Sequence, residues 1–449
     1  MITQPTPVFQ RLLEGIQSVP VIDCHEHLRG PARDLADAPR DPIQRLAIMY
    51  FYSDLWSASD NPTYGFIMDT RNSLDERWQV FERLWRASEH TGYARVTKLT
   101  LKNFYEIDRL TRSSLDQVAE VVQAMDEHTY LEALHGAGIR GVIADNLFPP
   151  PWERTIRYYT NPVIADYLDD RFPQPQNWRP VFNLPYFHEI RTREFIDFVG
   201  AIAKMDVLSL ADYEEAMFRL IQRSKEKGIA ALKDQSAYRR VIDYDLPATS
   251  EAECLFNKLL RDPRNQLAWP EAKPLDDYLF HRFMRIANQL DLPVQIHTGH
   301  LAQIRNRVDK ANAAHFTPVL ELYSNVQFDL FHGNWPYMDD LLFIGKNYPN
   351  AHLDLCWTYM IDPLYAKELL KRALVTIPHV KIHAFGGDFF HAPEFSAAVL
   401  VLAREVIAAA LAEMVETGWL EEAEAECIAV DWLYNNPNEF YRFGLPAYG

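Results

Sequence analysis

Cysteine is scarce in this chain: Cys24, Cys254, Cys356 and Cys427 are the four in 449 residues, and no two stand in CxxC spacing. A chain of this length without a paired pattern has no disulfide framework, and a reduced, cytoplasmic setting is expected. Positive charge is also in deficit. Lys plus Arg number 45 against 62 Asp plus Glu, a net charge of −17, so the bulk field repels phosphate backbones and anionic membrane surfaces. No nucleic-acid or membrane partner is expected; a small-molecule substrate is, and a homo-oligomer stays open. Long apolar runs are missing too. No stretch reaches the ~20 residues of a spanning helix, and the N-terminus lacks a basic flank followed by an apolar core. The most apolar segment, 393–414, is interrupted by Arg404 and Glu405 and reads as a helix with a broad buried face.

What is present is the composition of a globular protein with a large core, 48% apolar and 24% charged. Eight short β-branched or apolar runs stand out, at 19–25, 139–146, 179–185, 228–234, 292–299, 326–333, 351–357 and 380–388. Between the last four lie stretches of helical periodicity long enough for one crossover each. Strand, helix and strand again argues for parallel strands covered by helices. Eight such units predict an α/β fold, a (β/α)8 TIM barrel formed by residues 1–449 as one domain. No GxGxxG or GxxxxGK[ST] motif follows any run to favour an open nucleotide-binding sheet. Residues 30–138 separate the first two strands by roughly four times what a crossover requires. They read as a mainly helical insertion covering the barrel mouth. Pro- and aromatic-rich loops follow at 146–162 and 261–277.

In a parallel barrel the C-terminal strand ends open on one face, where sites are built. The polar residues at those ends are His25 and His27 on strand 1, Lys233 on strand 4, His297 on strand 5, His332 on strand 6 and Asp388 on strand 8. His25 and His27 stand at i and i+2, so both rings point to one face of a strand. Imidazole and carboxylate suit a divalent transition metal that leaves one position for water. Such a cation acidifies that water to near neutral pH; Asp388 could accept the proton, and a nearby imidazole could orient the substrate.

The set in IDCHEHL, VQIHTG, FDLFHGNWPY and AFGGDFF, with YNNPNEFYRF near the C-terminus, resembles the amidohydrolase superfamily, in its amidohydrolase-related (type 2) branch. The resemblance covers strand 1 and most of 290–445. It implies a metal-dependent hydrolase with His25, His27, His297 and Asp388 holding one divalent ion, zinc first, manganese or iron after it. It makes His332 a catalytic imidazole, with Asp388 sharing in catalysis, and the substrate a small, carboxylated molecule cleaved at a C–O or C–N bond. Relatives with two metals use a carboxylated lysine, for which Lys233 stands at about the right place. Decarboxylases and a uronate isomerase share the scaffold and supply the alternative reaction classes; a non-catalytic metal-binding barrel is the third reading.

Each histidine alone reads more readily as a hydrogen-bonded polar residue; only the ordered set reverses that. Arg29, Arg239, Lys233 and, with less reason, Arg240, Arg305 and Arg307 are candidates to clamp a substrate carboxylate. Asp23 and Asp354 are expected to brace backbone or histidine nitrogens, and His300, His383 and His391 to support the ligand positions or meet solvent. Trp335, Tyr337, Trp357 and Tyr359 are expected to pack, or to wall the substrate space.

Overall fold

The computed structural model describes residues 5–48, 50–147 and 162–449, so most of the 146–162 loop lies outside the described residues. The eight apolar runs become eight strands: β1 Val21–Glu26, β2 Ile139–Ala144, β3 Trp178–Asn183, β4 Ala231–Asp234, β5 Val294–Ile296, β6 Phe328–Leu330, β7 Ala351–Asp354 and β8 Ile382–His383. They pair in sequence order and in parallel. The chain beyond β8 returns to β1 through Cys24 N–H to Phe385 O at 3.0 Å and Asp388 N–H to His25 O at 2.9 Å. The result is a nearly closed TIM barrel. Between Asp23 and Glu26 the β1–β2 register shifts, which places an irregularity at the histidines, where bulges commonly re-aim side chains.

The barrel floor is apolar and plugged by the C-terminal segment. Ile22, Cys24, Ile143, Val181 and Ala231 pack with Tyr441 and Phe443. Gly141 permits this, because a Cβ there would stand 2.8 Å from the Phe443 ring.

Within 30–138 the described residues form eight helices, from Pro31–Asp37 to Glu127–Gly136. Several start at side-chain caps, including the reciprocal Ser73–Glu76 box. The apolar segment forms the helix Pro393–Glu416, packed against Pro7–Ser18, Gly92–Phe104 and Pro363–Thr376. By length and composition it could cross a membrane, yet 89% of its apolar window is buried inside the fold. Of its charged residues, Arg404 donates to Ala137 O and Val19 O, each at 2.9 Å, Glu405 meets Arg95 at 3.4 Å, Glu394 pairs with Arg45 at 2.6 Å and Glu413 with Lys367 at 2.7 Å.

Candidate metal centre

Strand alternation and the shift in β1 bring His25 and His27 to one side, their ring centroids 4.7 Å apart. Both Nε2 atoms aim at one oxygen of Asp388, at 3.2 Å from His25 and 3.1 Å from His27. Asp388 follows β8 with φ +62°, an uncommon conformation for a residue with a side chain. It is held by its N–H to His25 O and by Tyr50, whose hydroxyl donates to Asp388 O at 2.7 Å. Tyr50 belongs to the 30–138 segment, so that insertion reaches the centre directly.

His297 and His332 form the second half, ring centroids 4.3 Å apart. His332 Nδ1 lies 3.1 Å from the Cys356 carbonyl, and His297 Nε2 lies 2.7 Å from the His300 carbonyl. A carbonyl only accepts, so each of those nitrogens carries its ring's proton. The remaining nitrogens, His332 Nε2 and His297 Nδ1, face each other at 3.1 Å. Burial, with Lys233 adding to it, lowers His297 to about 3; burial and the neighbouring His297 hold His332 well below its ordinary value. Two neutral imidazoles therefore present lone pairs to one another.

That juxtaposition is unfavourable unless an electron-poor centre lies within reach of both nitrogens, and burial disfavours a proton as that centre. His27 differs. Its Nδ1 is 2.9 Å from the Asp145 carbonyl and its Nε2 3.1 Å from Asp388; burial works against its charge, but the Asp388 carboxylate raises its pKa above the ordinary value. Burial works against the Asp388 charge, but His25 and His27 pull its carboxyl well below the usual range. The donor set thus fits a divalent cation: buried imidazole nitrogens, those of His27, His297 and His332 with orienting carbonyls behind them, and one ionised carboxylate.

Among the described residues three groups have ligand atoms within 4.8 Å of one another: His25, His27 and Asp145; His332, Cys356 and Asp388; and Cys24, Asp354 and His383; the first two contain residues of this centre, and His297 falls in none of the three. Asp145, just past β2, and Cys356, just past β7, were missed by the sequence reading. The same strand-end rule applied to IRGVIADN and AHLDLCW would have found them. Lys233 is fully buried, its Nζ without a hydrogen-bond partner among the described residues and 3.7 Å above the Phe331 ring. Burial lowers its pKa. Trp357, buried and at φ +65°, sets its ring 5.1 Å from His332 and 4.9 Å from His300, and so walls the centre. Tyr359 and Tyr337 instead bond to Ala384 O and Val308 O, and Trp335 packs on His300.

Other expectations need correction. Arg29 is buried, its guanidinium 3.4 Å from Asp34 and 2.5 Å from Asp37, so two carboxylates of its own chain already hold it and it is not open to clamp a substrate. Arg240 is no surface residue: it is 2% exposed and pairs with Asp277 at 2.5 Å. Arg307 pairs with Asp309 at 2.6 Å, and Arg305 reaches Asn61 at 3.4 Å. Arg239 pairs with Glu189 at the rim of a cavity. Gly386 and Gly387 are required less by a ligand than by neighbours, since a Cβ would lie 2.7 Å from Cys356 Cβ and 1.9 Å from Glu26 Oε1. Asp23 and Asp354 do brace backbone, Asp23 accepting from His25 N at 3.1 Å and Gly387 N at 3.2 Å, and Asp354 from Cys356 N at 2.5 Å. His383 and His391 are neither solvated nor at the centre: each is paired at 2.9 Å, with Asp329 and Asp34.

Barrel and donor set together make a strand-end site whose residues fit a divalent metal. Residues 229–443 match the model of the amidohydrolase family. Among curated proteins, Protein fluG of Emericella nidulans is 26% identical over 226 residues, 48% of this chain. That match spans only 26% of the relative's length. Among solved structures, a uronate isomerase from Thermotoga maritima is similar with TM-score 0.75 at 14% identity, over 97% of this chain and 98% of that one. A glucuronate isomerase from Caulobacter crescentus gives 0.66 at 18%, over 100% and 98%. A candidate metal-dependent hydrolase from Lactobacillus casei ATCC 334 gives 0.63 at 18%, over 96% and 97%. At these identities the likeness shows the fold.

Proposed function

We propose that the chain is a metal-dependent hydrolase that cleaves a C–O or C–N bond of a small carboxylated substrate, with His25, His27, His297 and Asp388 holding one divalent ion, zinc before manganese or iron. The observation that carries this reading is the pair of lone pairs on His297 and His332 facing each other across 3.1 Å. When bound, the ion would polarise the scissile group and acidify a water. Asp388, its backbone fixed by the Tyr50 hydroxyl, keeps its carboxylate aimed inward, where it would serve as the acceptor for a water proton at the centre. His332, its Nδ1–H anchored on Cys356 O, turns its Nε2 lone pair inward as an acceptor for a substrate or water proton. Trp357 excludes bulk water from one side. Lys233 lends positive charge, which favours an anionic substrate.

A second reading, uronate isomerisation, is favoured by the whole-chain likeness to two isomerases, which takes in the 30–138 segment as well as the barrel; a decarboxylase on the same centre is the remaining lyase alternative. Metal analysis of the purified protein, with assays on ester, lactone and amide panels and on D-glucuronate, separates these readings. One equivalent of metal with hydrolysis supports the first; ketose formation without hydrolysis moves the assignment to the second. Undiminished turnover by protein verified as metal-free sinks both.

A further inference from the structure

A cavity of about 390 Å³ opens where the segments after β3 and β4 meet, on the same barrel face as the metal centre. Glu189, Arg239, Thr192, Tyr186, Gln266 and Trp269 are among its lining residues. The chain links it to the centre through Tyr238, the residue before Arg239, whose ring lies 4.9 Å from that of His297.

The polar groups of this cavity are unevenly satisfied. Glu189 is 5% exposed, and one of its oxygens accepts from Arg239 Nε while the other, Oε1, has no partner among the described residues. Thr192 Oγ1 is likewise buried without a partner. The Arg239 side chain remains 46% exposed, and its two terminal NH2 groups lie beyond the Nε bond to Glu189. Arg191, by contrast, is closed off by a two-pronged pairing with Asp276, both contacts at 2.7 Å. A plain Arg–Glu surface bridge would leave Glu189 Oε1 buried and unsatisfied, which costs free energy. A ligand that brings a donor to Oε1 and an anion to the Arg239 fork removes that cost.

We propose that this cavity is the subsite for the non-reacting end of the substrate and takes a carboxylate that carries a hydrogen-bond donor, hydroxyl or ammonium, a few atoms away. The inference rests on the metal-dependent reading of the adjoining centre. Arg239 receives the carboxylate; Glu189 Oε1 and the Thr192 hydroxyl receive the donor; Trp269, 43% exposed, supplies a flat wall. A carboxylate without a donor leaves Glu189 Oε1 unsatisfied, and a neutral polyol forgoes the charge-assisted bonds to Arg239, so selectivity follows from the pair.

Equilibrium dialysis of the protein as purified, with D-glucuronate and L-glutamate as the two donor-bearing probes and glutarate and D-glucose as the incomplete ones, tests this. The expected result is saturable binding of a donor-bearing probe, at least about tenfold weaker binding of both incomplete probes, and a similar loss in R239Q and E189Q, the size of one charge-assisted hydrogen bond. Which probe binds distinguishes hydroxyl from ammonium. R239K, which keeps the charge but loses the fork, should recover part of the affinity, and W269A, altering an exposed ring, gives a weakened variant whose folding is not in question. Wild-type affinity in R239Q, E189Q and W269A, or no binding of either donor-bearing probe, overturns the subsite. Metal content measured on the same samples keeps the two readings apart: protein that binds probe but no metal refutes the metal centre, and metalloprotein that binds no probe refutes the subsite.

Discussion

Two of the buried histidine groups on this barrel are built on opposite terms. On the β3–β4 side, Asp234 accepts from His188 Nε2 at 2.8 Å, Ser236 N at 2.8 Å, Ser236 Oγ at 3.2 Å and the Tyr244 hydroxyl at 3.1 Å. Burial pushes its carboxyl up, but the His188 bond leads the contacts that bring it below its ordinary range. Across the barrel, His297 and His332 have their protons drawn outward to backbone carbonyls and their lone pairs turned toward each other. The first group satisfies its carboxylate from within the fold, with only His188 Nδ1 left without a partner among the described residues; the second leaves two ring nitrogens facing each other with no donor between them. A buried histidine is therefore not the mark of a site. The mark is acceptor capacity that the fold leaves facing inward with no donor. Two buried lysines repeat the contrast: Lys381 donates to Gly345 O and Tyr348 O, each at 2.7 Å, whereas Lys233 Nζ has no hydrogen-bond partner among the described residues.

The largest effect that could break this comparison lies at Asp388. D388N should lower turnover by about 10²–10⁴-fold and reduce bound metal with it; a variant that keeps both metal and rate would show that the open group is not a ligand set. Next comes H188A, which leaves the Asp234 charge without its imidazole and should cost about 3–5 kcal/mol in denaturant unfolding, with metal per folded molecule unchanged. Metal loss there, without loss of stability, would merge the two groups into one site. Y50F removes the hydroxyl that steadies Asp388 and should cost about 0.5–1.5 kcal/mol, with a small fall in rate at constant metal content. The smallest effect concerns Lys381, which burial lowers to about 8 from 10.5. Between those values the unfolded chain binds the proton and the folded one does not, so stability should rise with pH across that window. Denaturant titrations at several pH values should show that rise, and K381M should flatten it by up to one proton.

Much of this was legible in the order of residues. Every apolar run became a strand near its expected place, because eight buried parallel strands must each be apolar and short. The set His25, His27, His297, His332 and Asp388 was legible for a related reason: strand ends on one barrel face converge wherever they stand in the chain. Arg29 was misread because its partners, Asp34 and Asp37, sit in a helix turned back onto it, a pairing with no spacing rule. Asp145 and Cys356 escaped notice since neither stands in a motif. Gly386 and Gly387 stand where a Cβ would meet Cys356 and Glu26, a closeness that only the folded chain reveals.

By itself, then, the sequence determined the barrel, the face on which chemistry is placed and the residue types gathered there, all consequences of local periodicity and strand polarity. Only the tertiary structure decided which of those residues are satisfied and which are not. Hydrogen-bond saturation depends on where distant carbonyls and carboxylates end up: the Cys356 and His300 carbonyls that fix two tautomers, the Asp145 carbonyl behind His27, the partners that close Asp234. Those contacts are set by packing in three dimensions, and no pattern along the chain encodes them.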